Sequence, residues 1–210
     1  MKVCVLLPAY TQEKEIGKLI NDIQAYGFDV IVVDDGSSDN TADISRKAQA
    51  LVISHQKNKG KGQALRTGFK FIQKNAYDAA LIMDSDGQHL PHEINLLIDK
   101  ATNSDSDIII GNRMDDPQGM PLLISFIAKP NISDSQCGFR LIRSSALKKL
   151  NLSTVKYDTE SEILIQAAKQ GCKITSVPIK SIYSHNSSLI NPIFDTFRFC
   201  NLIIKSVFSK

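Results

Sequence analysis

Two acidic clusters carry the chemistry that this sequence offers, because each directly follows an apolar run. Asp34-Asp35-Gly36-Ser37-Ser38-Asp39 comes after Val30–Val33, and Asp84-Ser85-Asp86-Gly87-Gln88-His89 comes after Ala79–Met83. In the second cluster Asp84, Asp86 and Gln88 stand at alternate positions, and alternate residues of an extended segment point the same way. Carboxylate and amide oxygens are hard ligands suited to Mg²⁺ or Mn²⁺, ions usually held by one or two carboxylates together with substrate phosphates. These three residues are therefore the candidate metal ligands, and a diphosphate is the implied partner. A solvated acidic turn has the same spacing, but the preceding strand favours ligation. In the first cluster the carboxylates can accept hydrogen bonds from a base or ribose. Ser38, Asp39 and Asn40 serve equally well as turn and helix-start residues.

A third element, Asn58-Lys59-Gly60-Lys61-Gly62-Gln63-Ala64, is a glycine-rich basic turn that opens a helix and can present backbone N–H groups to an anion. It lacks the Walker spacing, and its G-x-G lacks the context of a dinucleotide fingerprint, so kinase-like phosphate transfer loses support.

These groups must be held by a regular scaffold. Lys2–Leu7 and Val30–Val33 are continuous aliphatic runs, the pattern of strands buried on both faces of a parallel sheet. Between them, Ile16, Leu19, Ile20 and Ile23 recur at helical spacing within 13–26. The alternation continues with helices near 40–48 and 63–75, strands at 51–54 and 79–83, a helix opened by Pro91 and reaching 101, and a strand at 107–110. This predicts an α/β fold with a mainly parallel sheet flanked by helices. The second half has a Pro- and Gly-marked stretch at 115–135, a helix at 159–170 and two short strands at 173–177 and 179–183. After Asn191-Pro192, Ile193, Phe197, Cys200, Ile204 and Phe208 fall near one helical face. Residues 1–190 read as the main domain and 191–210 as an amphipathic helix that lies on a membrane surface, caps the core or pairs with another subunit.

Composition bounds the rest. The 210 residues fit one globular domain, and a net charge of +3 is too slight for a nucleic-acid partner. Cys4, Cys137, Cys172 and Cys200 are far apart, which suits reduced thiols in a cytoplasmic protein and argues against structural zinc. The sequence contains no run of about 18 apolar residues, so membrane contact is expected to be peripheral, at the cytoplasmic face.

Taken in order, Pro8-Ala9-Tyr10 with Glu13, Asp34-Asp35-Gly36-Ser37, Asn58 to Gly62, Asp84 to His89, Gly111-Asn112-Arg113 and Asp134-Ser135-Gln136-Cys137-Gly138-Phe139-Arg140 resemble the motif set of glycosyltransferase family 2. Among its members the dolichyl- and polyprenyl-phosphate mannose synthase-like sugar transferases are the most similar. The resemblance implies a GT-A fold, a nucleotide-sugar donor (GDP- or UDP-sugar), a lipid-phosphate acceptor and inversion at the anomeric carbon. It places Pro8, Ala9, Tyr10, Glu13, Asp35, Gly36, Lys61 and Ser85 around the nucleotide, and Asp84, Asp86 and Gln88 around the metal and diphosphate. Arg113 matches the basic position near the phosphates, and Asp134 to Arg140 the acceptor-side motif, so Asp86, Arg113, Asp134 and Arg140 are the expected catalytic set. A phosphomonoester acceptor, with a second pKa of about 6, needs no strong general base. A hydroxyl acceptor needs one, and Asp134, Asp158 and Glu160 are the candidates.

Two departures bear on the acceptor. The family usually has a longer segment, with an interface helix and added basic residues, where this chain has only 114–133, and Leu189 stands at the expected lysine of a Ser-Lys pair. His185 is a substitute donor or metal ligand, or neither. A soluble or cell-surface glycan acceptor, and a nucleotide-sugar-binding module without turnover, are the alternatives. A nucleotidyltransferase is disfavoured, because no glycine-rich activation loop follows the first strand.

Overall fold

The computed structural model describes residues 1–113, 134, 137–154 and 159–180. Seven strands form one sheet: β1 (Val3–Ala9), β2 (Asp29–Asp34), β3 (Leu51–Ser54), β4 (Ala79–Ile82), β5 (Ile108–Arg113), β6 (Arg140–Arg143) and β7 (Ile174–Ile179). Their spatial order is β3-β2-β1-β4-β6-β5-β7. The β1–β2, β1–β4, β2–β3 and β5–β7 pairs are parallel, and β6 runs antiparallel to both β4 and β5. The helices are α1 (Ile16–Gln24), α2 (Thr41–Lys47), α3 (Lys61–Lys74), α4 (Ile94–Thr102), the single turn α5 (Ser144–Leu147) and α6 (Thr159–Lys169), with a 3₁₀ turn at Pro91–Glu93.

The apolar runs behave as their composition dictates. Every residue of β1 and of β4 is buried, and so are Ile16, Leu19, Ile20 and Ile23 on α1, the stripe expected from spacing. The sequence departs from the structure in two places. The two short strands expected at 173–177 and 179–183 are one strand through Ile179, with residues 181–183 outside the described residues. Pro178 sits inside β7, which is tolerated because β7 is an edge strand that needs ladder donors on only one side. β6 was not foreseen: its Arg-Leu-Ile-Arg sequence shows neither alternation nor an apolar run, yet it wedges between β4 and β5. Cys4, Cys137 and Cys172 are free thiols, and burial pushes Cys4 and Cys137 up to about 12. Cys200, His185, Leu189 and the expected helix at 191–210 lie outside the described residues.

Helix α3 packs on β1 through Gly68. A Cβ added there would lie 2.4 and 2.6 Å from the two Cδ atoms of Leu6, which is fully buried. Replacing a helix-interior glycine by alanine ordinarily stabilises by about 1 kcal/mol, whereas overpacking a tight core costs about 1–3 kcal/mol. Leu6 has no room to swing away, so the second effect should win. Gly68→Ala is expected to lower the urea midpoint with the slope unchanged; a midpoint equal to or above wild type would contradict this packing.

Candidate functional site

The strand order reverses beside β1, whose neighbours β2 and β4 lead to opposite halves of the sheet. In open α/β sheets ligands bind at such a point, beyond the carboxyl ends of the strands. Both acidic clusters are tied to that end of β1. The Asp35 N–H donates to the Ala9 carbonyl at 2.8 Å, and the Ser85 hydroxyl donates to the Pro8 carbonyl at 2.9 Å. Pro8 and Ala9 are buried and Tyr10 is exposed at the rim. Glu13 Oε2 accepts from the Asn40 backbone N–H at 3.2 Å and its side-chain amide at 3.1 Å, and Asp39 Oδ2 accepts from the Glu13 N–H at 3.2 Å. The segment after β1 is thus cross-linked to the start of α2.

Asp35 is buried, and its oxygens already have protein donors. Oδ1 accepts from His55 Nδ1 at 2.6 Å and the Lys59 N–H at 3.0 Å, and Oδ2 accepts from the Gly60 N–H at 2.7 Å. Two of the N–H groups that the basic turn was expected to offer an anion are spent on this carboxylate. Gly36, with φ +73°, allows close approach: a Cβ there would lie 2.4–2.8 Å from the backbone of Lys57 and Asn58. Any side chain would push the two segments apart.

The second cluster faces Lys61, the first residue of α3. Lys61 Nζ lies 2.6 Å from Asp84 Oδ1 and 2.6 Å from Glu160 Oε1. Burial disfavours the charge on Lys61, but the two carboxylates outweigh it and raise its pKa. Burial likewise raises Asp84, and the charge and hydrogen bond of Lys61 outweigh it and lower the net value. Glu160 is buried, and its Oε2 has no hydrogen-bond partner among the described residues. His89 stacks on Phe139 with ring centroids 5.1 Å apart, and its Nε2 lies 3.9 Å from Asp84 Oδ2. Burial lowers the His89 pKa, against the opposing pull of Asp84 and Asp86, which favours the neutral ring.

Asp86 lies on the exposed face of the loop, with Oδ1 accepting the Gln88 N–H at 3.1 Å. Its pKa is raised, first by withdrawal from water and then by the Asp84 charge. A bound cation would relieve that repulsion, and the oxygen donor set of Asp84, Asp86 and Gln88 suits Mg²⁺ or Mn²⁺. No three His, Cys, Asp or Glu side chains form a ready cage among the described residues, and an ion held by Asp84, Asp86 and Gln88 would need further oxygens from a ligand. A groove of about 450 Å³ between α1 and residues 87–92 shares Gly87 and His89 with this loop but is not lined by Asp84 or Asp86.

Arg113, Asp134 and Arg140 close the arrangement. Arg113 grips Asp134 with two bonds, Nε to Oδ2 at 2.6 Å and Nη2 to Oδ1 at 3.0 Å. Arg140 is fully buried and donates to the carbonyls of Cys137 and Glu160, so it joins this motif to the start of α6. Asp158 lies outside the described residues. Sequence inspection missed His55, Gly138 as a contact of Asp84, and the Lys61–Glu160 pair. A histidine one residue beyond a parallel strand, just before a basic turn, was the available signal for the first; the others are long-range contacts without a local pattern.

Comparison with known proteins matches residues 4–150 to the family described as "Glycosyl transferase family 2". The UDP-N-acetylglucosamine–dolichyl-phosphate N-acetylglucosaminyltransferase of Methanococcus voltae is 35% identical over 219 residues, covering 88% of this chain and 87% of that protein. The dolichol-phosphate mannosyltransferase of Pyrococcus furiosus is 30% identical over 202 residues, covering 85% of this chain and 56% of that protein. Among solved structures, glucosyl-3-phosphoglycerate synthase of Mycobacterium tuberculosis, in complex with Mn²⁺, UDP and phosphoglyceric acid, aligns with a TM-score of 0.76 at 18% identity, over 99% of this chain and 78% of that one. The chain belongs to glycosyl transferase family 2, has a GT-A fold and is a glycosyltransferase.

Gly138 offers a direct test of how this site is held. A Cβ added to it would lie 2.3–2.6 Å from the Asp84 carboxylate, which is partly exposed and so can move. Gly138→Ala should therefore fold normally but displace Asp84. Misplacement of a positioned group by about 1 Å can cost about 100-fold, so sugar transfer should fall by that order while the melting temperature changes little. Unchanged transfer would show that Asp84 tolerates displacement.

Proposed function

We propose that this member of glycosyl transferase family 2 moves a hexose from a UDP- or GDP-sugar to a polyprenyl-phosphate-type acceptor, with inversion at the anomeric carbon. The observation that carries this reading is the ion pair of Lys61 with Asp84, two residues before Asp86, at the β1–β4 reversal and against Gly138 of the expected acceptor-side motif. Two relatives support the acceptor, since both are named for transfer to dolichyl or dolichol phosphate. The Mn²⁺ and UDP bound to the M. tuberculosis enzyme, which shares only the fold, suggest the same kind of donor complex here.

The donor nucleotide lies over the ends of β1 and β2, bordered by Tyr10, Asp35 and the 58–61 turn. Its diphosphate would reach Asp84, Asp86 and Gln88, the residues that would hold Mg²⁺ or Mn²⁺. That ion supplies Lewis-acid stabilisation of the charge that develops on the leaving diphosphate. An acceptor phosphate oxygen attacks the anomeric carbon, the bond to the donor's β-phosphate oxygen breaks, and its electron pair leaves with the nucleoside diphosphate. Lys61 brings a positive charge to that leaving group, and Arg113, held by Asp134, adds another at the acceptor side. The anionic acceptor needs no strong base, which fits a site where Asp134 and Glu160 are already paired with Arg113 and Lys61. Among the described residues no helix is long and apolar enough to cross a membrane. We place the encounter with a lipid acceptor at the cytoplasmic face, by peripheral contact.

Two measurements check this reading. In a calorimetric titration with UDP and GDP, Asp86→Ala should abolish Mn²⁺-dependent binding; unchanged affinity would remove Asp86 from the site. After incubation with radiolabelled sugar nucleotide and polyprenyl phosphate, label should enter the organic phase on solvent partition. Label confined to water would contradict the lipid acceptor and favour a glycan, the acceptor that the short 114–133 segment allows.

A further inference from the structure

We propose that His55 is a positioning residue for the donor, acting through Asp35 to set the form of the 58–61 turn. This rests on the donor reading given above. His55 follows β3 directly, and its backbone N–H donates to the Asp34 carbonyl at 2.9 Å, so the strand end itself fixes where the ring stands. The ring and the Asp35 carboxylate are both nearly fully buried, with 7% and 4% of their side-chain surface exposed, and meet at 2.6 Å. On its other side Nε2 lies 2.9 Å from Thr67 Oγ1, and that hydroxyl donates to the Gln63 carbonyl in the first turn of α3 at 3.0 Å.

This chain joins three elements in one line. Asp35 also receives the N–H groups of Lys59 and Gly60, so the carboxylate that His55 orients in turn orients the two residues just before Lys61. Lys61 is the residue whose ammonium meets Asp84. A buried carboxylate with a missing donor rotates toward new partners or draws in water, because an unsatisfied buried polar group is costly. Loss of the His55 bond would therefore loosen residues 59 and 60, whereas the Lys61 ammonium stays held by Asp84 and Glu160. With the 59 and 60 N–H groups committed to Asp35 and those of Gln63 and Ala64 donating to the Gly60 carbonyl, the Lys61 and Gly62 N–H groups are those remaining for a phosphate. His55 would thus act on donor affinity rather than on the transfer step.

Asparagine and glutamine separate a positioning role from simple filling of space. An asparagine amide nitrogen can stand near the position of histidine Nδ1, and that of glutamine near Nε2, so only asparagine preserves the donor to Asp35. In the full-length chain, His55→Asn should bind UDP or GDP with Mn²⁺ within about twofold of wild type, whereas His55→Gln and His55→Ala should bind about tenfold more weakly. In steady state the weakened variants should show the same rise in KM for the sugar nucleotide, with kcat and the acceptor KM nearly unchanged. A merely structural role would lower the active fraction, and hence kcat, at constant KM. Equal donor affinity in the Asn and Gln variants, or a loss in kcat alone, would overturn the inference while leaving the donor reading intact. Failure of the wild-type chain to bind either nucleotide would overturn both.

Discussion

Carboxylates converge on the carboxyl end of this sheet, and the surrounding structure must offset their mutual repulsion. Asp84 and Glu160 share the ammonium of Lys61, and Asp134 is gripped by Arg113 through both of its oxygens. Among the described residues Asp86 is in no ion pair, and its carboxyl is pushed upward, first by partial loss of hydration at the loop and then by the Asp84 charge. That imbalance gives the site its chemical direction. Of the described acids around Lys61 and Arg113, Asp86 alone is in no ion pair, and a divalent ion bound there would offset its charge.

The same constraint explains why distant segments meet here. Lys61 opens α3 and Glu160 lies in the first turn of α6, so the Lys61–Asp84 and Lys61–Glu160 ion pairs join the end of β4 to the two helix starts. β6 runs antiparallel between β4 and β5, and that insertion brings the residues before Arg140 against Asp84. Arg140 carries a buried charge into this junction and spends it on backbone carbonyls on either side, the kind of satisfied burial that an interior can tolerate. The site is thus a seam between two parts of one sheet rather than a pocket within either.

Much of this was legible in the sequence because local patterns encode it. The continuous apolar runs of β1, β2 and β4 and the stripe of Ile16, Leu19, Ile20 and Ile23 follow from burial alone, and the acidic clusters were recognisable at their strand ends. What could not be read were features set by tertiary contact. The four residues of β6 include two arginines and look unlike a strand until their neighbours are in place. Asp35 looked free to meet a base or ribose, because its partner His55 lies 20 residues further on and no spacing rule connects them. The two expected strands around Pro178 are one, since a proline breaks a strand only where its missing N–H is needed.

If the acids at the ends of β2 and β4 border a single cleft for a diphosphate and its cation, a crystal of this protein soaked with UDP or GDP and Mn²⁺ should show it in the anomalous signal of manganese. One manganese peak is expected against Asp86, with the diphosphate between that loop and Lys61 and the nucleoside toward Tyr10 and Asp35. A nucleotide bound elsewhere, or a manganese peak away from the Asp84–Gln88 loop, would contradict it.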